Sequence, residues 1–165
     1  MHGYQDKAVD HIIENPRAAM LLDMGLGKTV STLTAIKYLM FEELEIHKVL
    51  IIAPKRVAES VWNAEINKWA HLQNLTISRI IGTEKQRLKA LNEKAMIYTI
   101  GRDNVVWLCS QFGGKMLPFD MVVIDELSSF KNPKSMRFKA LRRAIPSVGR
   151  VVGLTGTPAP NGLID

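Results

Sequence analysis

Six short apolar runs recur along the chain: AAMLLD (18–23), VLIIAP (49–54), LTISRII (75–81), AMIYTI (95–100), MVVIDE (121–126) and RVVGLTG (150–156). Brief and rich in β-branched residues, they predict strands. Val49 to Ala53 and Met121 to Ile124 show no polar alternation. Such runs suit strands covered on both faces, so the sheet they form is expected to be mainly parallel. Between them the apolar spacing changes to three and four: Leu33, Ile36 and Met40; Val57, Val61, Trp62, Ile66 and Trp69; Phe138, Leu141 and Ile145. Each stripe predicts a helix burying one face. Strand, crossover helix and strand in alternation predict a doubly wound, three-layer α/β domain with ligands at the carboxyl ends of the strands. Trp62, Trp69 and Trp107 lie inside helical apolar patterns and are read as packing residues rather than base-stacking platforms.

Composition narrows this picture. The chain has 165 residues, one domain's worth, with 47% hydrophobic and 23% charged residues. These values exclude a disordered, collagen-like or coiled-coil chain. No apolar run reaches the ~18 residues of a membrane span, and MHGYQDKAVD lacks a signal-peptide core, so an intracellular, cytoplasmic protein is expected. The single cysteine, Cys109, allows no internal disulfide and follows the apolar run VVWL, which suits a small buried residue. His2, His11, His47 and His71 lack metal-site spacing.

The net charge of +6 is unevenly placed. No acid lies between Glu126 and Asp165, whereas Lys131, Lys134, Arg137, Lys139, Arg142, Arg143 and Arg150 all fall there. This stretch reads as a phosphate-attracting surface, the docking face of an acidic partner, or a solvated helix face.

Two places carry candidate chemistry. LLDMGLGKT follows the first strand and leads into a helix. Gly25 and Gly27 allow positive φ and close approach to an anion, Lys28 supplies charge to the outer phosphates, and the Thr29 hydroxyl suits Mg2+. The strict pattern G-x-x-x-x-G-K-[ST] would need glycine where Leu22 stands, and a glycine turn opening an amphipathic helix uses the same residues. The strand MVVI delivers Asp125 and Glu126 to its carboxyl end, where Asp125 can hold Mg2+ through water and Glu126 can orient or deprotonate a water. The same acids could instead cap the following helix.

Taken in order, DMGLGKT (23–29), DELSSFKNPKS (125–135) and LTGTPAPN (154–161) resemble motifs I, II and III of superfamily-two helicases, most closely of the Swi/Snf-like DNA-dependent ATPases. HGYQDKAVDHI resembles that family's Q motif, and IGRDNVVWL resembles compact versions from bacteriophages and prophages. Leu22 departs from an acid usual at its position, and Ser128 from the histidine of D-E-x-H.

The resemblance implies a P-loop NTPase with a RecA-like αβα sandwich, residues 1–165 forming the first lobe of a two-lobed motor whose second lobe lies outside this chain. ATP and Mg2+ are the implied ligands. Gln5 would read adenine; Met24, Gly25, Leu26, Gly27, Lys28 and Thr29 would hold the phosphates; Thr29 and Asp125 would hold Mg2+; Glu126 would activate water. Ser128, Thr155, Gly156 and Thr157 would couple hydrolysis to DNA, with Ser128 bonding toward Thr155 or Thr157. Lys55, Arg56, Gly82, Thr83 and Arg102 would contact the backbone of duplex DNA without sequence preference. The implied activity is translocation along duplex DNA, weak or absent in this lobe alone; a strand-separating helicase and a non-cycling, nucleotide-gated scaffold are the alternatives.

Overall fold

In a computed structural model the described residues are 3–21, 27–130, 132–155 and 163. The elements run α1 (Gly3–Glu14), β1 (Arg17–Leu21), α2 (Lys28–Phe41), β2 (Val49–Ala53), α3 (Trp62–Lys68), β3 (Ile77–Ile80), α4 (Glu84–Asn92), β4 (Ile97–Gly101), α5 (Val105–Ser110), β5 (Met121–Asp125), α6 (Met136–Ala144) and β6 (Arg150–Thr155). A π-helical turn, Val57–Val61, leads into α3. The six strands form one sheet in the order β1-β6-β5-β2-β4-β3, and every neighbouring pair is parallel.

The uninterrupted apolar runs are explained by the two cores. Val49 and Ile51 of β2 face one side with Met121 and Val123 of β5, under Leu33 and Ile36 of α2. Leu50 and Ile52 face the other with Val122 and Ile124, under Leu108 of α5 and Leu141 of α6. All five residues of β2 and of β5 are buried. The fold is thus the expected αβα sandwich. Each such leucine or isoleucine contributes about 1.5–3 kcal/mol when fully buried.

The second stripe departs from expectation. The π-helical turn takes more than four residues per turn and shifts the helical phase of the residues after it. Ala58, Trp62 and Ile66 are therefore buried, while Val61 is 43% exposed. Thr99 of β4 donates its hydroxyl to Ala58 O at 2.8 Å, pinning the turn to the sheet.

Arg150 also departs. Only 8% exposed, it pairs with Glu45 and donates to Ile12 O and Ile13 O at 2.9 Å each, fastening the carboxyl end of α1. It belongs to the interior and not to a basic surface. Lys134, Lys139, Arg142 and Arg143 are exposed, and Lys131 lies outside the described residues.

Candidate nucleotide and nucleic-acid site

Strand order brings distant stretches of sequence together. β1, β6 and β5 are successive neighbours, with Leu21 level with Thr155 and Asp125 level with Leu154. The carboxyl ends of β1, β6 and β5 therefore share one rim. Gly27 has φ +78°, the positive value expected of it, and serves as N-cap of α2. The first residues of α2 are Lys28 and Thr29, so amide groups without helical partners open this helix. Met24, Gly25, Leu26, Gly156 and Thr157 lie outside the described residues. Gln5 sits in the first turns of α1, and the position of its side chain is not described.

Lys28 Nζ lies 2.8 Å from Asp125 Oδ1 and 3.6 Å from Glu126 Oε1. The Asp125 side chain is 2% exposed, that of Lys28 14% and that of Glu126 30%. Burying a carboxylate is costly unless it is paired and hydrogen-bonded, and both conditions are met. Oδ2 of Asp125 accepts from the indole Nε1–H of Trp62 at 3.1 Å, so each of its oxygens has a donor.

Adjacent side chains of a strand point to opposite faces, yet Asp125 and Glu126 meet one ammonium. The reason is Glu126's backbone, with φ +62° immediately after β5 ends. For a residue with a Cβ, the left-handed conformation costs about 1–2 kcal/mol. It turns the chain at once into the 3-10 turn Leu127–Phe130 and returns the second carboxylate to the side of the first. Ser129 holds the turn, its amide and hydroxyl both donating to Glu126 O, at 2.9 and 2.8 Å. The Ser128 hydroxyl lies 3.4 Å from Glu126 Oε2. Its bond thus runs to the carboxylate rather than to Thr155, and Thr157 is not described.

Hard oxygen donors beside an ammonium at the start of a helix suit a nucleotide with Mg2+. Glu126 Oε1 is buried without a hydrogen-bond partner among the described residues, a position that calls for a donor water or a cation. No group of three or more His, Cys, Asp or Glu side chains placed to hold a metal ion occurs among the described residues. A divalent ion here would rely on few protein ligands and on phosphate and water, the habit of Mg2+.

The same rim continues through the ends of β2, β4 and β3. Lys55, Gly82 and Thr83 line one cavity of ≈ 520 Å³, with Gly101 and Asp103 flanking Arg102. Arg56 is exposed beside it. The expected backbone contacts thus follow the ends of β2, β3 and β4, whereas Lys28, Asp125 and Glu126 meet at the end of β5. Gly82 has φ +97°, and a Cβ there would meet Gln86 Oε1 at 2.1 Å. That oxygen accepts from the Thr83 amide, and Thr83 Oγ1 accepts from the Gln86 amide, a capping box that starts α4. Glu59 and Asp103 also line the cavity, so its charge is mixed. Arg137 offsets Asp103 at 3.1 Å and carries the basic stretch to this rim.

Sequence reasoning placed Trp62 in the core, where it is, and missed its polar contact. The available signal was general: a buried indole N–H usually finds an acceptor. Trp69 bonds Glu65 at 2.6 Å, whereas Trp107 lies beneath the Arg87 guanidinium at 4.5 Å from its ring centre. Burial pushes the Cys109 thiol up to about 11, so it is no nucleophile at neutral pH. No helix among the described residues is long and apolar enough to cross a membrane.

Comparison with known proteins agrees with this fold. The family description "SNF2-related domain" matches residues 4–165. Putative protein p41 of Acyrthosiphon pisum secondary endosymbiont phage 1 is 42% identical over 98% of the chain. ISWI chromatin-remodeling complex ATPase ISW1 of Saccharomyces cerevisiae is 32% identical over 99%. The solved Sulfolobus solfataricus SWI2/SNF2 ATPase core in complex with dsDNA superposes with a TM-score of 0.79 at 26% identity, covering 99% of the chain. The chain spans 36%, 15% and 33% of these three proteins, respectively.

Proposed function

Since this chain belongs to the SNF2-related domain family, we propose that it is the ATP-binding lobe of a motor that couples ATP hydrolysis to translocation along duplex DNA, within a bacterial or phage-infected cell. The observation that carries this reading is the meeting of Lys28, Asp125 and Glu126 at the carboxyl end of a parallel sheet. The solved SWI2/SNF2 relative bound to duplex DNA supports the choice of partner.

Without nucleotide, Lys28 neutralises two carboxylates. Arriving phosphates compete for the same ammonium, which turns from Asp125 Oδ1 toward the outer phosphates while the amides opening α2 receive their oxygens. Asp125 and Thr29 would hold Mg2+, which supplies neutralisation of the phosphate charge when bound. Glu126, with one oxygen buried and unbonded among the described residues, orients a water and takes its proton as the water oxygen bonds the γ-phosphorus. The bond to the bridging oxygen breaks, and ADP and phosphate leave. Ser128, bonded to the Glu126 carboxylate, and Thr155, at the end of the strand beside β5, would pass a change at the γ-phosphate on toward DNA, together with Gly156 and Thr157, which follow Thr155 in the sequence. A second RecA-like lobe would close the cleft and supply arginines, a contribution of about 10³–10⁵ in rate.

Calorimetric titration of ATP with Mg2+ tests the reading. Saturable binding that Lys28→Ala abolishes is expected, with very slow turnover by this chain alone. Absence of binding by the unaltered chain would refute the nucleotide site, whereas binding without turnover even when the second lobe is present would favour the nucleotide-gated scaffold. In a protein that includes the second lobe, duplex-stimulated hydrolysis without unwinding is expected, and separation of a tailed duplex would favour a helicase.

A further inference from the structure

Among the described residues Asp125 is the one buried carboxylate, and its Oδ2 is engaged by the indole of Trp62, sixty-three positions away in sequence. Trp62 is fully buried. It opens α3 directly after the π-helical turn, which Thr99 ties to the sheet through Ala58 O and which starts with the Ala58 amide on Pro54 O at 2.9 Å. The indole is thus set against β5 from a rigid base, not from a mobile loop. Mere satisfaction of a buried N–H needs only a backbone carbonyl, whereas here it meets a charged group, to which a hydrogen bond is stronger.

The two oxygens of Asp125 are held differently. Oδ1 is held by Lys28, a flexible ammonium that phosphate can attract away; Oδ2 is held by a side chain with nowhere to go. Once Lys28 turns to phosphate, Oδ1 is left beside the start of α2 without its partner, and the carboxylate cannot rotate to follow the lysine. We propose that Trp62 is a positioning residue for Asp125: its indole N–H fixes the carboxylate so that Oδ1 faces the site of the divalent ion, and thereby sets how strongly Mg2+ tightens ATP binding. The assignment rests on the ATP·Mg2+ reading above. Partners of this kind behind a metal-binding carboxylate typically contribute about 10–100-fold in metal affinity.

The test measures the dissociation constant of ATP calorimetrically in MgCl2 and in EDTA, for the unaltered chain, Trp62→Phe and Trp69→Phe. Phenylalanine keeps most of the buried ring and removes the donor. The expected result is that Trp62→Phe shrinks the Mg2+ enhancement about tenfold or more and leaves the EDTA value within about twofold. Trp69→Phe, which loses only the bond to Glu65, should leave both unchanged. An undiminished enhancement in Trp62→Phe, or equal weakening with and without Mg2+, overturns the assignment while leaving ATP·Mg2+ binding intact. No saturable binding by the unaltered chain would instead overturn the underlying reading, and this one with it. Should Trp62→Phe not fold, the indole N–H resonances of the unaltered chain decide, with Trp69 and Trp107 identified by their own Phe variants. The Trp62 signal should exchange slowly and should shift between ATP with EDTA and ATP with MgCl2; an invariant signal overturns the proposal.

Discussion

Lys28→Ala should destabilise the protein even where no nucleotide is present. At 2.8 Å the attraction to Asp125 amounts to roughly 6 kcal/mol at an effective dielectric constant of about 20, before any cost of desolvation. Removing one partner of a buried pair typically costs about 3–5 kcal/mol, because the other charge is left in the interior. Two features of the site adjust that figure in opposite directions. Lys28 is 14% exposed, so water can partly replace it, but Glu126 Oε1, 3.6 Å from the same ammonium, then faces Asp125 without a counter-charge. The net expectation is a loss of about 2–4 kcal/mol. For a chain of this length that is a fall in Tm of roughly 5–15 °C, at about 2–4 °C per kcal/mol.

Thermal unfolding followed by circular dichroism in EDTA, for the unaltered chain, Lys28→Ala, Asp125→Asn and the double variant, separates the pair from the individual residues. Removing the buried charge together with its partner should be less costly than removing the lysine alone, so the double variant should melt above Lys28→Ala. The same competition predicts that Asp125→Asn, by releasing Lys28, tightens metal-free ATP while losing the Mg2+ enhancement. A Tm for Lys28→Ala within about 2 °C of the unaltered chain, or strictly additive losses in the double variant, would refute the ion pair as a determinant of the resting state.

Other consequences can be checked separately. Glu126→Gln should keep ATP binding in calorimetry and lower steady-state hydrolysis by a motor that includes the second lobe about 10²–10⁴-fold. Lys55→Ala and Arg102→Ala should each weaken duplex binding independently of sequence and reduce the slope of log K against log salt, read by fluorescence anisotropy, by about 0.9 per lost phosphate contact. Gly82→Ala should lower stability by about 1–3 kcal/mol in thermal melts, since it both strains the backbone and evicts Gln86 from the capping box. Because burial raises the Cys109 thiol from 9.0 to about 11, the folded state holds that proton where the unfolded state has lost it. Stability should therefore be insensitive to this group below pH 9 and fall as pH rises from 9 toward 11, a fall that Cys109→Ala removes from a series of denaturant melts.

The sequence was most legible where packing alone decides structure. Val49–Ala53 and Met121–Ile124 read as strands covered on both faces because both of their side-chain rows enter cores. α4 was not legible in this way: none of its residues is fully buried, only Ala90 and Leu91 pack against a core, and it starts on the reciprocal bonds of Thr83 and Gln86. Val61 was misassigned because spacing rules presume 3.6 residues per turn, and the π-helical turn breaks that assumption. Arg150 counted as surface charge because a charge tally cannot see that its guanidinium closes the end of α1 over Ile12 and Ile13.

The nucleotide site shows the same division between what local pattern specifies and what only the assembled sheet does. Lys28, Asp125 and Glu126 could be named from residue type and spacing, since phosphate and metal chemistry admits few alternatives at the end of a parallel strand. What the linear pattern could not supply was how neighbours on a strand reach a common ammonium, or what orients the first of them. Both answers are non-local. Glu126 adopts φ +62° because Ser129 and the 3-10 turn after it hold the chain there. Asp125 is oriented by an indole from α3, placed by a helical irregularity that is itself tied to β4. β2 lies between β5 and β4 in the sheet, so the strand end that carries Asp125 and the strand ends followed by Lys55, Arg56 and Arg102 share this packing. The π-helical turn starts just after Lys55 and Arg56 and ends at Val61, next to Trp62. The turn that places the donor to Asp125 thus lies between the two groups of residues and is an element common to both.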